Sequence, residues 1–415
     1  MRQIILILGL VCNFCLTTVA YTKSTVHQDP QIHLGPRPFF LVNQMQDSPL
    51  KSKLKSCEPK TMKPSLFSIG HRGAPLLFPE HTKESYLAAI KMGAGILECD
   101  VTFTKDRQLV CRHAQCDLHA STDILSRPDL AKTCRKPFQP YNEATGAKAS
   151  AECCTSDITL AQFRSLCGKM DGVNEMASSP ADFMNGTSQF RTDLYATCGT
   201  LMTHKESIAL FKSNGVKMTP ELKEPMVPMP FEGKYSQQDY AQQLINEYKA
   251  AGVAANDVWA QSFQLDDIKY WIRAEPEFAR QAVYLDGRYS DEFFDHSKPE
   301  TWNPSMKELS EMGVKYIGSP TWMLLKTGAN KQIVASDYAK AAKKDGLSLI
   351  AWTVERSGQI SQGGGWYYQT IASAIQNEGD VFRVIDTLAQ DVGVENIFSD
   401  WPATTTYYAN CFNLK

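Results

Sequence analysis

The sequence predicts an α/β protein whose chain closes into a (β/α)₈ TIM barrel with disulfide-stapled loop insertions. From Ser65 onward, short apolar runs alternate with stretches of helical periodicity, a pattern that is typical of a parallel sheet. About eight or nine such units follow one another, which favours a closed barrel over an open sheet. Several helical stretches end at a glycine, as at Gly93 and Gly313, which suits a helix carboxyl terminus.

The expected elements alternate along the chain. Strands are expected at Leu66–Gly70, Ile96–Phe103, Leu109–His113, Val216–Lys223, Val258–Phe263, Gln281–Leu285, Lys315–Gly318, Leu347–Val354 and Asn396–Ser399. Helices are expected at Glu84–Met92, Leu160–Cys167, His204–Asn214, Gln237–Ala251, Leu265–Ala274, Met306–Met312, Ala335–Lys344 and Phe382–Gln390. The sequence has no G-x-G-x-x-G motif after a strand and no P-loop motif, which argues against dinucleotide and P-loop sites.

Residues 1–20 are typical of a secretory signal peptide. A basic residue precedes an apolar run that ends at Cys15, and small residues follow up to Ala20, where cleavage is expected. The alternative is a membrane anchor, but the run is shorter than the roughly 20 apolar residues of a membrane span. Residues 21–64 are rich in proline, so we expect an extended leader before a barrel domain at residues 65–415.

The 12 cysteines fit an exported chain. Signal removal would leave ten, and an even number favours disulfides in an oxidising compartment. The adjacent Cys153 and Cys154 are expected to bond two separate partners, and Cys57 and Cys411 are candidates for joining the domain ends. The pairing as a whole stays open. Zinc is the weaker alternative, because no pair of C-x-x-C motifs occurs.

Two segments interrupt the strand–helix alternation. Residues 114–158 and 168–202 have few apolar runs but many Cys, Asp, Ser and Pro residues. We expect them to be insertions at the barrel mouth, with a small separate domain as the alternative. Asn185 begins a sequon for N-glycosylation in this region.

The composition excludes several classes of partner. The formal net charge is −2, the hydrophobic fraction is 43% and the charged fraction is 21%. These are the proportions of a soluble globular protein. Such a charge provides no extended field for nucleic acid or an anionic membrane, so any phosphate must be bound at a local site.

Carboxylates at the strand ends predict a metal site. Alternation along a strand places Glu98 and Asp100 on one face and Cys99 on the other. Two inward carboxylates repel each other unless a cation intervenes. Glu221, on a later strand, would add a third oxygen ligand. Oxygen ligands suit one divalent metal ion, Ca²⁺ or Mg²⁺.

Basic side chains are expected at the same end of the barrel. His71 and Arg72 follow the first strand, His113 ends the third, and Lys223 lies two residues beyond Glu221. Because strand ends on one side of a barrel converge, these groups should meet in one pocket. Each alone is weak evidence, whereas their recurrence at successive strand ends predicts an anion-handling active site.

These motifs resemble the glycerophosphodiester phosphodiesterase family, a member of the phosphatidylinositol-phospholipase-C-like barrel superfamily. The resemblance runs from about residue 65 to residue 402. The family's HRG, PENT, E-x-D, His and E-x-K motifs correspond to His71-Arg72-Gly73, Pro79-Glu80-His81-Thr82, Glu98 with Asp100, His113, and Glu221 with Lys223. Two positions depart from the family pattern. His81 replaces an Asn, where we expect it to keep a hydrogen-bonding role, and Ala114 replaces the Asp after the second catalytic His.

The resemblance implies a role for each residue. His71 and His113 would be the acid/base pair, with their order open, and the attacking group would be the glycerol 2-hydroxyl or a water molecule. A divalent ion held by the three carboxylates would offset phosphate charge, helped by Arg72 and Lys223. Glu80 would orient a ligand. Phe263, Trp352 and Trp401, which stand at or near strand ends, would form an apolar wall for glycerol, with ordinary core packing as the alternative for each.

The expected function is therefore a secreted hydrolase that cleaves a small glycerophosphodiester to sn-glycerol 3-phosphate and an alcohol. Nucleic acid and a transmembrane segment are not expected. Two alternatives stay open: a sphingomyelinase D-like phospholipase on the same barrel, and a non-catalytic surface binding protein. The head group, the choice of Ca²⁺ or Mg²⁺ and the oligomeric state are also open.

Overall fold

Eight parallel strands form a closed barrel in the computed structural model, which describes residues 31–414. The strands are β1 (Ser65–Gly70), β2 (Ala94–Phe103), β3 (Lys217–Leu222), β4 (Gln261–Ser262), β5 (Val283–Leu285), β6 (Tyr316–Pro320), β7 (Ser348–Val354) and β8 (Asn396–Ser399). Each strand pairs with the next in this order. Gly70 of β1 lies opposite Ser399 of β8, which closes the ring. The predicted (β/α)₈ barrel is confirmed.

A helix follows every barrel strand. The helices are α1 (Lys83–Lys91), α2 (His204–Ser213), α3 (Gln237–Ala250), α4 (Leu265–Ala274), α5 (Met306–Glu311), α6 (Asp337–Lys344), α7 (Asp380–Asp386) and α8 (Ala403–Phe412). Reciprocal capping boxes begin α2, α3 and α5, each with a Ser or Thr side chain paired to the acidic residue three positions on. These caps fix the helix starts close to where the periodicity predicted them.

The third expected strand is not a barrel strand. Leu109–Cys111 runs antiparallel to β2, with Val101 opposite Cys111. The chain therefore turns back after β2 and returns toward the barrel mouth, where Arg112 donates its backbone N–H to Asp100 at 2.7 Å. A disulfide between Cys99 and Cys111 ties this strand to β2.

The two predicted insertions form one continuous segment before α2. The helix expected at Leu160–Cys167 is a single turn, Leu160–Phe163, and does not separate them. The segment has a hydrophobic cluster of its own, which includes Leu118, Ile124 and Phe183. It belongs to the same compact unit as the barrel, which begins at Ile32.

Five disulfides join the ten cysteines from Cys57 onward. They are Cys57–Cys411, Cys99–Cys111, Cys116–Cys154, Cys134–Cys153 and Cys167–Cys198. The expectation that Cys153 and Cys154 have separate partners is confirmed. Three of the five lie within the insertion, which accounts for the cysteine-rich composition of that segment.

The expected extended leader at 21–64 is wrong for part of its length. Residues Arg37–Gln44 and Pro49–Lys55 are helices. Prolines at the first turns caused the error, because proline suits a helix start as well as extended chain. Arg37 donates to Glu355 at 2.8 Å and so ties the first of these helices to the barrel. The predicted signal peptide at 1–20 lies outside the described residues.

Shorter elements complete the connections. Two-stranded sheets form between Lys136–Gln139 and Ser150–Glu152, between Cys167–Gly168 and Gly199–Thr200, and between Leu325–Thr327 and Ile333–Ala335. Further short helices are Leu118–Ser121, Pro128–Ala131, Pro180–Phe183, Pro276–Ala279 and Thr321–Leu324. The 3₁₀ turns are Ile124–Ser126, Thr155–Asp157, Ala255–Asp257, Arg288–Ser290, Pro299–Thr301, Ala329–Lys331, Ile360–Gln362 and Trp366–Ala374, and a π-helical turn, Thr387–Val392, extends α7.

Apolar side chains fill the barrel below the polar mouth. Buried residues of the strands and of the segment before β4 form one cluster: Ile69, Ile96, Trp259, Val283, Leu285, Ile350 and Phe398. A larger core packs the helices against the strands. Charged strand-end groups above this layer are therefore screened from water on one side. Within residues 31–414, no helix is long and apolar enough to cross a membrane.

We predict that the double variant Cys57→Ala/Cys411→Ala loses about 5 kcal/mol of unfolding free energy, since the bond closes a very long loop. The two cysteines are 354 positions apart in sequence. Urea unfolding under non-reducing conditions measures the effect. Cys167→Ala/Cys198→Ala, which opens a loop of 31 positions, should lose less. Equal losses in the two variants would contradict the prediction.

Candidate active site

Three carboxylates meet at the carboxyl ends of β2 and β3. Asp100 and Glu221 are directly opposite in the register of the two strands, and Glu98 lies on the same face of β2. Oxygen atoms of the three side chains lie within 4.8 Å of one another, and all three residues are buried. The structure thus brings together the three predicted metal ligands.

Hydrogen bonds hold two of these carboxylates in place. Glu98 accepts from the backbone N–H of Arg72 at 2.9 Å and from Nε2 of Gln261 at 2.8 Å. One oxygen of Asp100 lies 2.9 Å from Nε2 of His81. Its other oxygen, Oδ1, is buried and has no hydrogen-bond partner among the described residues. A free buried oxygen beside two further carboxylates fits a bound divalent cation.

The electrostatics of this cluster also fit a cation. Burial raises the pKa of Glu98 well above its usual range, and the charges of Asp100 and Glu221 raise it further. Burial likewise raises the pKa of Glu221, to about 7, although Lys223 opposes the shift. The protein therefore stores like-charge repulsion that a divalent ion would relieve.

Two other groups of described residues have a metal-like spacing. Cys116, Glu152 and Cys154 are close together, but the two cysteines are bonded to each other in one disulfide and cannot ligate. Glu80, His113 and Asp117 form the other group. Glu80 is already paired with two arginines, as described below, so the cluster of Glu98 is the better cation site.

His71 is held by a carboxylate at the seam between β1 and β8. Because these strands pair, the residues that follow them, His71 and Asp400, are neighbours, and Nδ1 of the ring lies 2.5 Å from Oδ1 of Asp400. The ring's Nε2 points the other way, 3.8 Å from Glu98. Burial lowers the pKa of His71, against the opposing charge of Asp400. A neutral ring with Nδ1–H on Asp400 leaves Nε2 free to accept a proton.

His113 reaches the same cavity by a different route. It follows the antiparallel strand Leu109–Cys111 rather than a barrel strand. Burial lowers its pKa well below the usual range, and the nearby charges of Arg72 and Lys223 lower it further. The two histidines therefore line one cavity as predicted, although the strand that delivers His113 is not part of the barrel.

The predicted anion-binding side chains line this cavity as well. Arg72 donates to Glu80 at 2.8 Å, and Nζ of Lys223 lies 2.5 Å from Glu221. The Arg72 backbone has a φ of 55°, an uncommon conformation that lets its N–H turn to Glu98. Two cations thus border the carboxylate cluster and face the same space.

The two departures from the family motifs have local explanations. His81 is buried and bridges Asp100 and Tyr86, with 2.9 Å between the bonded atoms on each side. The expected hydrogen-bonding role of His81 is therefore present. At Ala114, where the family motif has an Asp, the backbone N–H donates to the side chain of Asp117 at 3.3 Å.

An aromatic wall forms one side of the cavity, whose volume is about 580 Å³. The predicted Phe263 and Trp352 both line it, with ring centres 6.0 Å apart, whereas the predicted Trp401 does not line it. Sequence reasoning missed three further aromatic residues on this wall: Tyr289, Trp366 and Tyr367. They belong to loops after β5 and β7, where no strand-end position marks them.

Three charged residues of the site were also missed. Asp400 follows β8 and could have been found by the same strand-end argument as His71. Arg356 lies two residues beyond β7, and Asp171 lies in the insertion; both line the cavity. No motif or strand-end position marks Arg356 or Asp171 in the sequence, because only the folding of their loops brings them to the barrel mouth.

A closed barrel whose mouth gathers two histidines and three carboxylates has the arrangement of an enzyme active site. The chain belongs to the glycerophosphoryl diester phosphodiesterase family, whose model matches residues 71–404. This membership confirms the predicted family and the predicted class of enzyme.

Individual proteins and a solved structure are also similar to this chain. An "Extracellular protein" of Arthroderma benhamiae is 50% identical over 249 residues, which are 59% of this chain and 100% of that protein. The glycerophosphodiester phosphodiesterase GDPD6 of Arabidopsis thaliana is 28% identical over 192 residues, 46% of this chain and 44% of its own. The crystal structure of a protein from Silicibacter pomeroyi named "Putative glycerophosphoryl diester phosphodiesterase" superposes with a TM-score of 0.54 at 17% identity, covering 88% of this chain and 99% of that chain. At that identity it supports the fold alone.

We predict that His81→Ala destabilises the protein by about 2 kcal/mol, because it leaves a buried Asp100 oxygen without its donor. His81→Asn should lose less, since an amide can still donate to that carboxylate. Chemical unfolding of the metal-free protein measures both variants. If His81→Asn lost as much unfolding free energy as His81→Ala, the His81 ring would stabilise the protein through its packing and not through its hydrogen bond to Asp100.

Proposed function

We propose that this protein is an exported, metal-dependent hydrolase that cleaves glycerophosphodiesters to sn-glycerol 3-phosphate and an alcohol. The observation that carries the proposal is the convergence of His71, His113, Glu98 and Glu221 on one cavity, with an oxygen of Asp100 within 4.8 Å of the two glutamates. In a chain of this family, that set supplies the two proton-transfer groups and the cation site that phosphodiester hydrolysis requires.

The substrate phosphate would lie between the cations and the histidines. Arg72 and Lys223 offer positive charge to its non-bridging oxygens. Glu98, Asp100 and Glu221 would hold a divalent ion, which when bound offsets the charge that grows on the phosphate in the transition state. Hard oxygen donors suit both Ca²⁺ and Mg²⁺.

The two histidines would carry out the two proton transfers, one at the attacking oxygen and one at the leaving oxygen. One accepts a proton from the attacking oxygen, the glycerol 2-hydroxyl or water, as the new P–O bond forms, and the other donates a proton to the alkoxide oxygen as the old P–O bond breaks. If the 2-hydroxyl attacks, the alcohol leaves and a cyclic phosphate forms, which water then opens to give sn-glycerol 3-phosphate. Asp400 supports His71 in this role, because it binds Nδ1–H and holds Nε2 toward the cavity. A bound phosphate anion would raise the pKa of the histidine that donates.

The shape of the cavity fits a small diester. Phe263 and Trp352 present apolar surface to the glycerol carbons, while Glu80 holds Arg72 in position. A volume of about 580 Å³ leaves space for a head group beyond glycerol phosphate. The cavity lining contains both charged and aromatic side chains, so a substrate with a charged phosphate and apolar carbons would contact both kinds.

Export is supported by two observations. The five disulfides among the described residues are typical of oxidising compartments. A relative from Arthroderma benhamiae is named an extracellular protein. Together with the apolar amino-terminal run, these support a secreted enzyme.

We predict that the purified protein, with Ca²⁺ or Mg²⁺ added, releases sn-glycerol 3-phosphate from a panel of soluble glycerophosphodiesters. His71→Ala and His113→Ala should each lower kcat about 100- to 10,000-fold, because each removes one proton-transfer group. The exposed His33 provides the matched control, and His33→Ala should keep full activity.

The assay is a coupled measurement of glycerol 3-phosphate, with circular dichroism to show that each variant is folded. Near-native turnover by either histidine variant would remove that residue from the mechanism. Action on sphingomyelin vesicles without action on glycerophosphocholine would replace the proposal with the sphingomyelinase D-like alternative.

A further inference from the structure

A single arginine links three separate parts of the chain behind the proposed catalytic pair. Arg356 lies in the loop after β7, and its side chain is 13% exposed. Its guanidinium contacts Asp400 at 2.9 Å, Glu80 at 3.0 Å and Asp171 at 3.2 Å. These carboxylates come from the loops after β8 and β1 and from the disulfide-stapled insertion.

The contact with Asp400 leads directly to His71. The two oxygens of this carboxylate have different partners: Oδ1 bonds Nδ1 of the His71 ring, and Oδ2 accepts from Nη1 of Arg356. A carboxylate held on both oxygens cannot rotate freely, so the guanidinium fixes the direction in which Asp400 presents Oδ1. That direction sets the orientation of the ring and the place of its free nitrogen.

Asp171 holds the other side of the guanidinium. It is itself paired with Arg191 at 2.5 Å, and Arg191 also donates to the backbone oxygen of Pro75. The disulfide Cys167–Cys198 closes the segment that carries both residues. The insertion is therefore anchored at the point where it contributes a charge to the cavity.

The charges around Arg356 balance only if it is present. Glu80 also pairs with Arg72, and Asp171 also pairs with Arg191. For Asp400, by contrast, the arginine or lysine that it contacts within residues 31–414 is Arg356. Lysine cannot replace it, since an ammonium is a point charge and lacks the planar fork that reaches several carboxylates at once. Loss of the guanidinium would leave the buried Asp400 without an arginine partner and would remove one of the two arginines that pair with Glu80 and with Asp171.

We propose that Arg356, held from the insertion by Asp171, is a positioning residue that fixes Asp400 and, through it, the ring of His71. The insertion would then complete the active site rather than only cover it. This inference rests on the proposed function, because it assigns a position to one of its proton-transfer groups.

Arg356→Lys should lower kcat about 10- to 100-fold, because a small displacement of a proton-transfer group has that effect. The KM should change less than threefold, since the substrate's own contacts remain. Asp171→Asn, which keeps the side chain's shape, should lower kcat in the same direction by a smaller factor. Arg383→Lys is the control: Arg383 pairs with Asp380 at 2.9 Å in α7, outside the cavity.

A second measurement does not depend on turnover. In proton NMR, the hydrogen bond between His71 Nδ1–H and Asp400 should give a downfield signal that His71→Ala removes. The signal should shift or broaden in Arg356→Lys and Asp171→Asn and stay unchanged in Arg383→Lys. If Arg356→Lys does not fold, the kcat and the NMR signal of Asp171→Asn still test the proposal.

Two results would overturn the inference. A raised KM with an unchanged kcat in Arg356→Lys would make Arg356 a substrate-binding residue, and an unchanged signal with unchanged kcat in both variants would remove it from the site. Failure of the wild-type protein to hydrolyse any glycerophosphodiester would instead contradict the proposed function, while the NMR signal would still report on the ring.

Discussion

Three buried carboxylates, Glu98, Asp100 and Glu221, are aimed at one point in the barrel mouth, and their mutual repulsion is the constraint around which the site is built. Burying like charges without compensation is costly, and the raised pKa values of Glu98 and Glu221 express that cost. The surrounding groups offset part of it. Lys223 pairs with Glu221 and Gln261 bonds Glu98. The second oxygen of Asp100, which has no hydrogen-bond partner within residues 31–414, is left for a cation.

The same constraint explains the arrangement farther out. Glu98 fixes the backbone of Arg72, Arg72 pairs with Glu80, and Glu80 accepts from Arg356. Charged groups of alternating sign therefore extend from the carboxylates to the Asp400 beside His71. Each member is held by the next, so removing one leaves a buried charge unpaired, which is more damaging than the loss of the contact itself.

Much of this site follows from the sequence through strand geometry. Alternation and the convergence of strand ends suffice to bring Glu98, Asp100, Glu221 and His71 together. That reasoning also puts His113 in the right cavity, although its strand turns back as a hairpin instead of joining the barrel. It fails where loops decide the structure. Arg356 reaches the site only because its loop folds over the barrel mouth, and no periodic pattern records that path.

The amino-terminal segment shows a second limit of pattern reasoning. Prolines there read as extended chain, yet Pro49 stands at the first turn of a helix capped by Ser48. Short helices of this kind are stabilised by what they pack against, here α8 and the loop after β7, and not by their own propensity. Proline content alone therefore does not separate the two conformations.

The central claim is that the carboxylate cluster binds the divalent ion, and calorimetric titration of the metal-free protein with Ca²⁺ and with Mg²⁺ tests it most directly. We expect one binding site in the wild-type protein and none in the triple variant Glu98→Gln/Asp100→Asn/Glu221→Gln. The substitutions keep the size of each side chain, so the variant should still fold. Binding of the same stoichiometry and affinity by a folded triple variant would contradict the account.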